Sequence, residues 1–242
     1  MRRLAMVNPS VKLVVLTVLS LGLLLVFDPL TPTVLYLGLL GLWLVDRTVP
    51  VRTLLLGHLP FLAFALSVLV VNSVTRAGRP LARLGPLTVT NHGLAVGGSL
   101  AMRTLVVGLG VILMVRTTPP AALLESLRQN LRLPDNVCFA VVAGYRLLAD
   151  LPEAWQTLLR AHRMRGFRRV GPAVAGRAAV ALLASSIRRG ERLAIVMQTR
   201  GLGAHPRTSW RPQRVTASDL AWAVAVLGTA AALTVAARLT GL

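Results

Sequence analysis

Residues Thr53–Val74 read TLLLGHLPFLAFALSVLVVNSV and contain no charged side chain. A helix of this length extends about 33 Å at ~1.5 Å per residue, which is enough to cross the hydrocarbon core of a bilayer. Inside lipid the backbone polar groups must be paired within the segment itself, and a helix achieves this without a neighbouring strand. The stretch therefore predicts a membrane-spanning helix.

Four further apolar runs surround this stretch. Two precede it, at Val11–Phe27 and Thr33–Val45, and two follow it, at Leu94–Val115 and Leu220–Ala237. Residues 75–92 are rich in Arg, Pro and Gly and predict a loop with room for one short element. Together the five runs predict an all-α polytopic membrane protein with about five transmembrane helices.

The composition agrees with this fold class and excludes one class of enzyme. Hydrophobic residues make up 55% of the 242-residue chain and charged residues only 14%, where a soluble domain would be about 25% charged. The 27 basic residues include a single lysine, Lys12. Because Lys12 lies in the sequence PSVKLV, the chain has no phosphate-binding loop of the G-x-x-x-x-G-K-[ST] type. We therefore expect no catalytic residues for ATP hydrolysis of that type in this chain.

Metal and thiol chemistry are also not expected. The one cysteine, Cys138, excludes an internal disulfide and is interpreted as a small buried hydrophobic residue. The four histidines show no paired metal-ligand spacing. We expect no cofactor and no metal site.

The segment between the fourth and fifth apolar runs has a different composition. Residues 116–214 contain 17 arginines and 5 acidic residues. No apolar run in this segment is long enough to cross a membrane without including an arginine. The predicted domains are transmembrane helices 1–4 in residues 1–115, a cytoplasmic helical domain in residues 116–214, and the last transmembrane helix in residues 215–242. The excess of arginine predicts that this domain and the N-terminus are cytoplasmic, although the three arginines of the 75–92 loop then lie outside.

Three helices are predicted in the basic segment. The first begins at Pro119-Pro120 and ends at Leu133-Pro134. Two longer amphipathic patterns cover Leu147–Arg163 and Ala173–Thr199. Both are followed by an Arg-Gly pair, and glycine is the usual residue after a helix because it adopts a left-handed conformation without a Cβ clash.

Several of these segments together resemble the transmembrane T component of energy-coupling factor (ECF) transporters, the cobalt- and biotin-transport T protein family. The segments are Asn8-Pro9-Ser10-Val11-Lys12-Leu13, Thr117-Thr118-Pro119, Leu131-Arg132-Leu133-Pro134 and the two Arg-Gly helix ends. The resemblance runs from about residue 8 to residue 203, and the last apolar run matches the final span of the family. It implies a membrane scaffold that joins a substrate-binding membrane protein, the S component, to two cytoplasmic ABC-type ATPases.

The resemblance also implies which residues contact the partners. In the family the two coupling helices end in Ala-Arg-Gly or a close variant, and these ends dock on the ATPases. Carried onto this chain, the ATPase-coupling residues are Met164, Arg165, Gly166, Thr199, Arg200 and Gly201. The apolar face that would contact the S component includes Leu183, Ile187 and Met197. Met164 and Thr199 depart from the alanine that is frequent in the family.

Alternative interpretations stay open at this stage. Arg165 and Arg200 would favour a helix C-terminus through the helix dipole alone. Arg103, the only charge in the fourth apolar run, is expected to extend to the membrane surface. A self-contained carrier or channel would be expected to place acidic residues within its spans, and a membrane scaffold without transport activity is a further alternative.

Overall fold

The computed structural model describes residues 3–26, 28–47, 49–84, 87–165, 171–202 and 212–239. The chain divides into two compact units. Unit 1 combines Met1–Leu123 with Arg214–Leu242, and unit 2 is Leu124–Gln213. The return of the chain to unit 1 after unit 2 means that two connections join the units.

Unit 1 is built from apolar helices. Its helices are α1 (Arg3–Met6), α2 (Pro9–Leu23), α3 (Leu30–Asp46), α4 (Val51–Thr75), α5 (Asn91–Thr117) and α9 (Ala217–Leu239). The segments Val51–Thr75, Asn91–Thr117 and Ala217–Ala237 are long and apolar enough to cross a membrane, while α2 and α3 are shorter apolar helices. These findings confirm the prediction of an all-α polytopic membrane protein.

The tightest packing in unit 1 is between α4 and α5. A Cβ atom added to Gly93 of α5 would lie 2.5 Å from the backbone oxygen of Asn72 in α4, and one added to Gly108 would lie 2.6 Å from Cγ of Phe61. Glycine permits this approach because it presents no side chain to the neighbouring helix. Some of the small residues of the fourth apolar run therefore serve internal packing.

The loop at residues 75–92 contains an antiparallel hairpin. Strand β1 (Pro80–Leu84) pairs with β2 (Leu87–Thr90), with Arg83 opposite Thr88. Thr90 ends the hairpin and begins α5, since its hydroxyl donates to the carbonyl of Arg76 at 2.8 Å and accepts from the N–H of Gly93 at 3.1 Å. The β-branched residues of LTVT favour this short strand pair over a plain loop.

The described residues of unit 2 form three helices, α6 (Pro120–Asn130, which begins in unit 1), α7 (Asp135–Met164) and α8 (Pro172–Thr199). Two predicted boundaries were wrong. Helix α7 begins at Asp135 rather than Leu147, because Pro134 starts the helix and its carbonyl accepts from the N–H groups of Val137 and Cys138. Helix α6 ends at Asn130 rather than Leu133, since Arg132 adopts a left-handed conformation with φ of 52°.

An arginine fixes the turn between α6 and α7. Arg128 binds Glu125 at 2.6 Å and Asp135 at 3.2 Å, and so joins the last turns of α6 to the first residue of α7. The hydrogen bond to Glu125 is the main cause that holds the pKa of Arg128 above its usual value. Cys138 is buried beside this pair, as predicted, and burial raises the pKa of its thiol.

Candidate functional site: two helix ends and a buried polar cluster

Helix α8 ends in a complete Schellman motif around the second predicted Arg-Gly pair. The N–H of Gly201 donates to the carbonyl of Gln198 at 2.9 Å, and the N–H of Leu202 donates to that of Met197 at 2.9 Å. Gly201 has a φ of 80°, which is the left-handed conformation expected of a glycine at this position. The glycine therefore ends the helix in one defined geometry, in which Arg200 is the C-cap residue.

Arg165 occupies the equivalent position, the C-cap, at the end of helix α7. The N–H of Arg165 donates to the carbonyls of Ala161 and His162 at 3.3 and 3.2 Å. Its backbone angles are φ −85° and ψ 14°, against φ −85° and ψ 12° for Arg200. Gly166 lies outside the described residues.

The two arginines are exposed and their guanidinium groups have no hydrogen bond or ion pair with the residues that the structure describes. The capping bonds at both helix ends come from backbone N–H groups of the described residues, not from these side chains. Met164 is 89% exposed beside Arg165, and Thr199 is exposed beside Arg200. Both predicted ends therefore present a cation and a neighbouring side chain outward.

The residues predicted to contact the S component lie on one helix, α8. Leu183 and Ile187 are 63% and 54% exposed, whereas Met197 is half-buried. Leu183 and Ile187 are four residues apart, so they lie on the same face of the helix. This arrangement leaves an apolar surface on an otherwise basic helix.

Sequence analysis missed a buried polar cluster in unit 1. Asn8, Lys12, Asp46, Thr118 and Asp219 are each no more than 7% exposed. The N–H of Leu4 donates to Asp46 at 2.6 Å, and the N–H of Asn8 donates to Asp219 at 3.0 Å. The two aspartates lie at helix ends, in the last position of α3 and the third of α9. The sequence contained a signal for this cluster, because Asp46 and Asp219 each lie directly beside an apolar run, where an acidic side chain needs a polar partner.

Lys12 connects two sequence segments that the resemblance treated separately. Its ammonium group donates to the hydroxyls of Thr117 and Thr118 at 3.4 and 3.3 Å. Asp219 also caps the last helix, since it accepts from both the N–H and the hydroxyl of Thr216.

Arg103, which was expected to extend to the membrane surface, binds the turn between α2 and α3. Its guanidinium donates to the carbonyl of Val26, between α2 and α3. One turn earlier on α5, Ser99 donates to the carbonyl of Asp28 at 3.0 Å. The two contacts fasten the α2–α3 turn to α5.

Comparisons with known proteins agree with this architecture. The family described as cobalt transport protein (CbiQ) matches residues 2–210. The energy-coupling factor transporter transmembrane protein EcfT of Heliobacterium modesticaldum is 28% identical over 240 residues, which cover 91% of this chain and 88% of that protein. EcfT of Thermosediminibacter oceani is 27% identical over 72% of this chain and 71% of its own length.

A longer protein also contains a similar segment. A Bifidobacterium longum protein named as an ABC transporter ATP-binding protein is 28% identical over 218 residues, which cover 81% of this chain but 27% of that protein.

The match to the family covers most of the chain, including both arginine helix ends and the Asn8–Lys12 segment. The chain belongs to the cobalt transport protein family and is a transmembrane T component of an energy-coupling factor transporter.

Proposed function

We propose that this chain is the non-catalytic coupling subunit of an ABC-type importer, and that Arg165 and Arg200 each bind one of two cytoplasmic ATPase subunits. The observation that carries the proposal is the matched geometry of the two helix ends. Each presents an exposed arginine with nearly the same backbone angles and without an acidic partner among the described residues. Two equivalent contacts are what a pair of ATPase subunits requires.

The chemistry of these ends suits an acidic groove. A guanidinium group binds a carboxylate through two parallel hydrogen bonds, with a planar geometry that an ammonium group does not provide. Gly201 adds a stretch of backbone without a side chain, so that a partner can approach closely. Met164 and Thr199 would lie at the rim of each contact. ATP hydrolysis would take place in the partner subunits.

The similarity to the Bifidobacterium protein supports this partnership. A segment like this chain makes up about a quarter of a polypeptide that is named as an ATP-binding protein of an ABC transporter. Two functions that occur in one chain in one organism are often carried out by associated chains in another. This argues for a physical association between the present chain and an ATPase.

We further propose that the N-terminus and the basic domain of residues 116–214 are cytoplasmic. The described part of unit 2 contains 11 arginines and 5 acidic residues, and positively charged segments remain on the inner side of the membrane. In this orientation the ends of α7 and α8 lie in the compartment that supplies ATP. The multi-pass character of the chain itself follows from its apolar helices.

The exposed apolar face of α8 is proposed to bind the S component. Leu183 and Ile187 would lie at the centre of this contact and Met197 near its edge. Movement of the ATPases would displace the two anchored helices and shift this face, which is a shear-type transition between two packed arrangements. The substrate class is a transition-metal ion or a vitamin, and the family description favours cobalt.

A self-contained carrier or channel is less well supported. Ion-coupled carriers place ionisable groups within their spans to bind the coupling ion. Asp46 and Asp219 lie at helix ends here and accept hydrogen bonds from backbone N–H groups. A membrane scaffold without transport activity would differ from the proposed coupling subunit in showing no ATP-dependent uptake.

The test is co-purification with the ATPases encoded beside the gene. Arg165→Ala combined with Arg200→Ala should leave the protein in the membrane and reduce ATPase recovery by about tenfold, as expected when one partner of a charge pair is removed. The matched control is Arg188→Ala combined with Arg189→Ala, since both arginines are exposed in the middle of α8. Normal ATPase recovery and uptake in the Arg165/Arg200 variant would refute the proposal.

A further inference from the structure

The two connections between unit 1 and unit 2 are both hydrogen-bonded to the same short segment of unit 1. Asn8–Lys12, which we call the anchor segment, forms the start of α2. The side chain of Asn8 accepts from the N–H of Ser10 at 3.0 Å, and the carbonyl of Asn8 accepts from the N–H of Lys12 at 3.2 Å. The segment therefore has one defined conformation from which its other groups extend.

One end of the anchor segment binds the connection by which the chain leaves unit 1. The ammonium group of Lys12 donates to the hydroxyls of Thr117, the last residue of α5, and of Thr118. Thr118 is 6% exposed and lies just before Leu123, the last residue of unit 1 on this side. Lys12 is itself 6% exposed, so the contact is shielded from solvent.

The other end binds the connection by which the chain returns. The backbone N–H of Asn8 donates to the carboxylate of Asp219 at 3.0 Å. The same carboxylate accepts from the N–H and the hydroxyl of Thr216, so it also defines the first turn of α9. Asp219 lies shortly after Arg214, where the chain re-enters unit 1.

Within unit 2, the last turn of α6 binds Gln213, the residue just before the returning connection. The backbone N–H of Gln213 donates to Oε1 of Gln129 at 2.7 Å. The side-chain amide of Asn130 donates to the carbonyl of Gln213 at 3.2 Å. The returning connection is therefore held by hydrogen bonds on both sides, at Gln213 and at Asp219. The outgoing connection is held at Thr117 and Thr118 and continues directly into α6.

We propose that Asn8, Lys12 and Asp219 are positioning residues for energy coupling, because they fix both connections to the transmembrane unit. The inference rests on the proposed coupling function. When an ATPase displaces the ends of α7 and α8, firmly held connections pass the movement into α5 and α9. Loosely held connections would absorb the same movement as a local rearrangement.

The first experiment measures anchoring alone, with the full chain in lipid nanodiscs and no partner. Amide hydrogen exchange of residues 117–123 and 214–219 is compared between the wild type, Lys12→Met and Asp219→Ala. We expect exchange of the outgoing connection to rise about tenfold in Lys12→Met, and that of the returning connection to rise similarly in Asp219→Ala. Unchanged exchange in both connections would overturn the proposal.

Two further variants keep this experiment interpretable. Asp28→Ala is the matched control, because Asp28 also accepts a helix N–H, that of Thr31 at 2.7 Å, but contacts neither connection. Its exchange in the two connections should equal that of the wild type. Gln129→Ala removes the hydrogen bond to Gln213 and should raise exchange only around Gln213, so it shows that the measurement resolves the loss of a single contact.

The second experiment measures coupling in the full complex, reconstituted in proteoliposomes with its ATPases and S component. Radioactive cobalt uptake and ATP hydrolysis are recorded together. Lys12→Met should lower the cobalt taken up per ATP hydrolysed by about tenfold while hydrolysis stays within about twofold of the wild type. Equal loss of both activities would indicate a merely structural role and overturn the proposal. A wild-type complex that recruits no ATPase would refute the proposed function, while the exchange measurement would still decide the anchoring.

Discussion

Arg165 and Arg200 lie 35 residues apart in the sequence, at the ends of different helices, and have the same backbone conformation to within 2° in both φ and ψ. The angles are those of residues that end a helix, so both arginines occupy equivalent capping positions. The two ends therefore present their side chains from the same local geometry, as the proposed coupling role requires. This equivalence also allows the role of the guanidinium group to be separated from that of its charge.

Replacement of both arginines by lysine separates these roles. Arg165→Lys with Arg200→Lys keeps the charge at each helix C-terminus, so thermal stability should change by less than about 0.5 kcal/mol. ATPase affinity should fall by about tenfold, because lysine does not reproduce the planar two-bond contact. Binding is measured by titration of purified ATPases onto the protein in nanodiscs. The same exchange at Arg188 and Arg189 is the control, and wild-type affinity of the Arg165/Arg200 variant would contradict the prediction.

Two glycines of the α8 region should respond to the same substitution with opposite signs. Gly201→Ala forces an alanine into a φ of 80° and should destabilise unit 2 by about 1 kcal/mol. Gly190→Ala lies within the helix, where an added Cβ meets nothing within 4 Å, and should stabilise it by about 0.5–1 kcal/mol. Thermal unfolding in detergent, followed by circular dichroism, measures both. Equal effects of the two substitutions would be inconsistent with the Schellman geometry.

The contact between α4 and α5 makes a similar pair of predictions within the membrane. An alanine at Gly93 would place its Cβ 2.5 Å from the backbone oxygen of Asn72, which is unable to move without a shift of α4. Gly93→Ala should therefore cost about 1–3 kcal/mol. Gly98→Ala, on the same helix with nothing within 4 Å, should be neutral or stabilising. The unfolding temperatures of the two variants are compared, and loss of stability only at Gly98 would show that the packing is different.

Arg128 should be the arginine of unit 2 whose replacement costs the most stability among those described. Arg128→Met leaves Glu125 and Asp135 without their shared cation and should cost about 2 kcal/mol. Arg146→Met is the control, because Arg146 is exposed and has no ion pair among the described residues. Chemical denaturation in detergent micelles gives both values. A cost for Arg146→Met as large as that for Arg128→Met would contradict the role of Arg128 in the α6–α7 turn.

Local sequence features predicted the helices of this protein well. The uncharged run at Thr53–Val74 became α4 with two residues added at its start and one at its end. The glycine after Thr199-Arg200 adopted the expected left-handed conformation. These features depend on the hydrophobicity of a continuous segment or on the conformational freedom of one residue, and both can be evaluated without knowing what the segment contacts.

Helix boundaries in unit 2 were less predictable. The first three turns of α7 precede the amphipathic pattern predicted from Leu147, and their start depends on Pro134 and on the contact of Asp135 with Arg128. The early end of α6 depends in turn on the left-handed conformation of Arg132, which is uncommon for a residue other than glycine. Contacts across a turn therefore decided these boundaries.

The sequence by itself determined the membrane class of this chain, the number of apolar helices and the two arginine helix ends, because each is encoded in neighbouring residues. The tertiary structure alone decided that Lys12 binds Thr118 and that Asn8 binds Asp219. These residues are separated by 106 and 211 positions. Such pairs form because buried polar groups must find partners, and only the packing of the helices determines which partners come within reach.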